Sequence, residues 1–182
     1  MMWILLGIIA VVLIICFVIY NSLIMARNNV KNAWSQIDVQ LKKRYDLVPN
    51  LVETVKGYAK HEAGTLKEIT EMRSQAMATN DKELKMKAND KMGKAISGLI
   101  NAVFENYPDL KASQNFLMLQ EELSGIENKI AYARQYYNDS VLEYNNKLEM
   151  FPTNVFGKMF SFKIETFLEA SSEEKKNVKV SF

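Results

Sequence analysis

The first twenty residues, MMWILLGIIAVVLIICFVIY, carry no charged side chain, and none appears before Arg27. At a helical rise of about 1.5 Å per residue, such a run matches the roughly 30 Å hydrocarbon layer of a bilayer. Trp3 and Tyr20 stand near its two ends, where amphipathic rings favour the membrane interface. A cleaved leader would show a basic stretch before the apolar run and a small-x-small site after it, and neither is present. A buried core helix would need protein on every side. The run therefore predicts a retained anchor: residues 1–26 form the span and its juxtamembrane turn, and residues 1–20 meet the lipid bilayer. Arg27, Lys31, Lys42, Lys43 and Arg44 follow, with only Asp38 among them. The positive-inside bias then predicts a single pass through the cell membrane, with the N-terminus outside and the remainder cytoplasmic.

The remainder must fold with a sparse chemical inventory. The 182 residues hold 23 Lys and Arg against 21 Asp and Glu, for a net charge of +2. That balance argues against a nucleic-acid binder. One cysteine, Cys16, and one histidine, His61, preclude an internal disulfide, a cysteine-based zinc site and any two-histidine constellation. We expect no catalytic, cofactor-binding or metal-binding residues, no cofactor, and no enzymatic activity.

From Arg27 onward the apolar residues step by three and four. Val30, Trp34, Ile37 and Leu41 lead to Val48, Leu51, Val55 and Tyr58, with Arg44 in the one missing place and Tyr45 beside it. This 3.5-residue period belongs to helices packed in a left-handed bundle. Pro49 falls inside it, as a kink in one helix or as the first turn of a new helix capped by Asp46. Ala63-Gly64-Thr65 predicts a helix end, with Gly64 past the last turn and Lys60 and His61 complementing the helix dipole. Thr65 to Glu68 then reads as a capping box. Asn80 to Glu83 repeats that logic ahead of Leu84, Ala88, Met92, Ile96, Leu99, Val103 and Tyr107, which Pro108 ends. The clearest stripe runs Phe116, Leu119, Leu123, Ile126, Ile130, Ala133, Tyr137, Val141, Tyr144 and Leu148, and stops at Phe151-Pro152. The expected fold is all-α: the anchor, an up-and-down four-helix bundle over residues 27–152, and a tail over 153–182 packed on it as short strands or extended segments. Phe160, Phe162, Ile164, Val178, Val180 and Phe182 alternate with polar residues there. Residues 27–60 carry a net charge of +4 and residues 108–152 a net of −3, which favours the two long helices as neighbours.

Candidate sites are few. His61-Glu62 reads as a solvated helix end, and Cys16 as a small apolar residue of the span. Gly93 to Gly98, GKAISG, lacks the Lys-Ser/Thr ending of a phosphate loop, so its glycines suggest close helix contact. Lys42-Lys43-Arg44 lies about 22 Å beyond Arg27 on an upright helix, which suits a solvated face or protein contact better than lipid. In AYARQYYN, residues 131–138, Tyr132, Arg134 and Tyr136 lie off the stripe and form either an interface or the edge of the bundle. Arg44 itself either lies at the flank in water or turns inward and pairs with Glu127 or Asp139.

Two blocks carry a resemblance. YNSLIMARNNVKNAWSQIDVQLKKRYDLVPNLVETVKGYAKHE, Tyr20 to Glu62, and NFLMLQEELSGIENKIAYARQYYNDSVLEYNNKLEMFPTNVFG, Asn115 to Gly157, resemble the bacterial LemA family. The tail at 177–182, NVKVSF, lacks the Pro usual before the family's final Val-x-Phe. The resemblance implies one N-terminal span, a helical bundle and no established catalytic residues. It also implies a role in membrane organisation or beside membrane proteases. Two functions are consistent with the chain. One is a membrane-anchored scaffold or adaptor that homo-oligomerises. The alternative is a regulatory partner of a membrane enzyme such as a quality-control protease.

Overall fold

A computed structural model describes residues 1–169, which are helical without strands. The elements are α1 (Met2–Lys56), a 3-10 turn (Lys60–Glu62), α2 (Ala63–Ala78), α3 (Lys82–Asn106), α4 (Pro108–Lys111), α5 (Gln114–Glu149) and α6 (Thr153–Met159). The residues Val178, Val180 and Phe182 lie outside the described part. The chain forms two compact units. One combines residues 1–37 and 132–168; the other comprises residues 38–131 with Glu169.

In the first unit, α1 begins as a bare apolar rod. Every residue from Met1 to Ile15 is exposed, and the first fully covered side chain is Leu23. This is the described helix that is long and apolar enough to cross a membrane, which is compatible with a membrane anchor; a signal sequence meets the same test of length and composition. Beyond it, Leu23, Ala26, Val30, Ala33 and Ile37 are buried in the unit, as are Ala133, Tyr137, Val141 and Tyr144 of α5. Trp34 meets the Tyr137 ring edge-on at 5.9 Å. After α5 the expected extended tail begins instead with helix α6. Gly157 allows α6 to lie close, since a Cβ there would come within 2.9 Å of Leu148 Cδ2. The chain then turns at Ser161, φ 56°, and runs extended from Phe162.

In the second unit, α1 passes Pro49 without interruption. Proline lacks the amide that would bond the carbonyl four residues earlier. That carbonyl belongs to Tyr45, and Arg73 Nε of α2 donates to it at 2.7 Å. The helix ends at Lys56, before the expected stop at Gly64. Gly57 is a poor helix former, and the amides of Tyr58 and Ala59 both fold back onto the Val55 carbonyl, with Val55 and Ala59 fully buried. Gly64 and Thr65 lie inside α2, whose N-terminus has no side-chain cap, so the capping box does not form. Tyr58 is exposed. At α3 the cap falls one residue later than the Asn80 to Glu83 box predicts: Asp81 accepts from the Leu84 amide at 2.8 Å. The α3 stripe differs at its start, where Met86 and Asn89 turn inward and Leu84 stays exposed. Pro108 opens α4, and α2 packs on α3.

Candidate functional site

The second unit encloses a charged centre. Arg44 is only 3 % exposed, and its Nη1 meets Glu127 of α5 at 2.7 Å and Asn89 Oδ1 of α3 at 3.1 Å. The inward reading of Arg44 therefore holds, with Glu127 rather than Asp139 as partner. Tyr45 also turns inward, because both residues sit at the unit's centre where the apolar series has its gap. Gly93 makes room for the guanidinium: a Cβ there would stand 2.9 Å from Nη2. Gly98, in contrast, faces open space and supports no close contact. Among the described residues no group bonds the buried Tyr45 hydroxyl. Burial pushes its pKa up to about 12, against the opposing pull of the Arg44 charge. The ion pair can fix the register of three helices.

The remaining candidates are dispersed. His61 is exposed in the 3-10 turn beyond α1. Lys42 pairs with Asp46 one turn along, and Lys43 is exposed, so only Arg44 of that basic triplet enters the interior. Cys16 is a free thiol on the apolar helix. An open cleft lined by Asn50, Glu53, Asn115 and Glu122 offers carboxylates and carboxamides without cysteine, histidine or lysine. Among the described residues no group of three or more His, Cys, Asp or Glu could hold a metal ion.

The most specific geometry lies in the first unit, on a feature the apolar stripes do not reveal. Asn145 of α5 accepts from the Glu165 amide at 3.0 Å and donates to the Glu165 carbonyl at 2.9 Å. Asn138 repeats the pattern on Leu168, at 2.9 and 3.0 Å. Between them, Tyr137 donates its hydroxyl proton to the Thr166 carbonyl at 3.3 Å. Seven helical residues rise about 10.5 Å and three extended residues span about 10 Å, so the two ladders stay in step. The carboxamides thus bind main chain, and the strap runs antiparallel to α5. At its other end, Arg27 lies over the Phe162 ring at 5.2 Å, and Tyr20 meets Phe160 and Phe162 edge-on. Tyr144 lies near Arg27 and Glu165; burial raises its pKa, opposed by Arg27 and assisted by Glu165. The Asn-x6-Asn spacing beside Tyr137 and Tyr144 was the available sequence signal. Of the Tyr–Arg block, Tyr132 is 74 % exposed and Tyr136 is also exposed, but Arg134 is buried and lines no free surface.

Comparison with known proteins adds the decisive observation. The LemA family model matches residues 33–182. The chain belongs to the LemA family. A curated LemA protein from Metamycoplasma hominis is 31% identical over 166 residues, covering 88% of this chain and 74% of that protein. The LemA family is not a known enzyme family.

Proposed function

We propose that the chain is a membrane-anchored, non-enzymatic scaffold or adaptor of the LemA type that organises membrane through homo-oligomerisation. One observation carries the reading. The exposed apolar segment and the first helix of the folded part are a single helix, Met2–Lys56, so the anchor runs without a break into what it carries. In this reading residues 1–26 anchor, residues 27–152 form an up-and-down four-helix bundle, and residues 153–182 pack on it. The basic residues after Tyr20 favour a cytoplasmic domain and an outside N-terminus in the cell membrane. Confinement in a bilayer raises the effective concentration of copies, so weak contacts suffice for self-association.

Crosslinking in intact membranes followed by recovery of the chain tests this. A scaffold recovers chiefly itself. Stoichiometric recovery of a membrane protease would replace the scaffold with the regulatory-partner reading.

A further inference from the structure

Residues 150–164, MFPTNVFGKMFSFKI, contain four phenylalanines, two lysines and no acidic residue. Met150, Phe151, Val155, Met159 and Phe160 are all exposed, Phe151 at 83 %. Large apolar side chains clustered at one place on a surface mark something that covers them.

The arrangement says where that cover lies. At 100° per residue, Val155 and Met159 each stand about 160° from Gly157, which faces Leu148 of α5. They therefore form the outer face of α6, with Lys158 on its flank. The Phe160 ring is 5.0 Å from that of Tyr20, the last residue of the apolar run. The strap leaves this point toward lower α5 numbers, from Asn145 to Asn138, so α6 occupies the turn at the anchor end of the unit. Tyrosine at the end of a span belongs at headgroup level. Helix α6 is about 10 Å long, so none of it lies far from that level.

We infer that α6 and its flanks, Met150 to Phe160, form a second membrane contact lying in the bilayer interface. Phe151, Val155 and Met159 enter the edge of the acyl chains, and Lys158 and Lys163 reach phosphate groups, as amphipathic interfacial segments do. The Asn138 and Asn145 clamps hold the strap that pins this segment beside the span. The inference rests on the membrane-anchor reading above, and its occupant is lipid rather than protein.

Spin labels in the full chain test it, in a Cys16→Ser background reconstituted into phosphatidylcholine–phosphatidylglycerol vesicles. Labels at Phe151→Cys, Val155→Cys and Met159→Cys are compared with Val12→Cys in the span and Tyr132→Cys on exposed α5. The expected result is a ratio of oxygen to water-soluble nickel-chelate accessibility several-fold higher at 151, 155 and 159 than at 132, approaching that at 12. Aqueous behaviour at 151, 155 and 159 with a lipid-exposed label at 12 would overturn the inference and leave the anchor standing. Shielding from both reagents would mean a protein cover and would also overturn it. An aqueous label at 12 would instead remove the anchor reading itself.

Discussion

Arg73 supplies to the Tyr45 carbonyl, at 2.7 Å, the hydrogen bond that Pro49 cannot make. A guanidinium from α2 thus repairs the ladder of α1, which lets one helix continue through a proline. Losing a charge-assisted bond to a carbonyl costs about 1.5–3 kcal/mol. Arg73→Ala should destabilise the protein by about that amount in chemical denaturation. In a Pro49→Ala background, where the backbone amide returns, the same substitution should cost clearly less. Equal costs in the two backgrounds would disprove the repair.

Arg44 and Glu127 are not equivalent partners, since Arg44 is buried and the Glu127 side chain is half exposed. Glu127→Ala leaves a cation in the interior and should cost about 2 kcal/mol, below the 3–5 of a fully buried pair because Asn89 still accepts from Arg44. A double-mutant cycle should give a coupling of about 1–2 kcal/mol.

The two glycines of α3 should respond with opposite signs. Gly98→Ala, in open space, should stabilise by roughly 0.5–1 kcal/mol through helix propensity. At Gly93 the new methyl meets a guanidinium held by Asn89 and Glu127, so Gly93→Ala should destabilise. Restoring room with Arg44→Ala should reduce that penalty.

Tyr45 predicts a pH dependence. Its folded pKa of about 12 lies above the ordinary value of 10.0, so the protonated hydroxyl is favoured in the folded state. The unfolded hydroxyl ionises first, so stability is undiminished below pH ~10 and falls as pH rises toward ~12, by on the order of 2–3 kcal/mol in all. Tyr45→Phe should flatten that part of the alkaline unfolding curve. Because the hydroxyl has no partner to lose among the described residues, the substitution should be neutral or slightly stabilising at pH 7.

The parts legible in the sequence are those governed by repeated burial. The α5 stripe from Phe116 to Leu148 held because each position faces the interior once per turn. Continuity across Pro49 was legible from the unbroken apolar phase, whereas the Arg73 bond that permits it depends on tertiary placement. The end of α1 was misplaced because Gly64 looks like a better stop than Gly57. Buried Val55 and Ala59 fix the turn at the earlier glycine. Arg134 lies off the stripe, yet its long side chain is covered, which periodicity cannot foresee. The Asn138 and Asn145 clamps are not legible in the stripes, which register apolar residues, whereas these carboxamides act on the main chain.

Self-association is the claim on which the scaffold reading depends, and light scattering of full-length protein in detergent measures it directly. The account predicts a protein mass above the 20.9 kDa of one chain, rising with concentration. A mass fixed at that of one chain across a wide concentration range would contradict it.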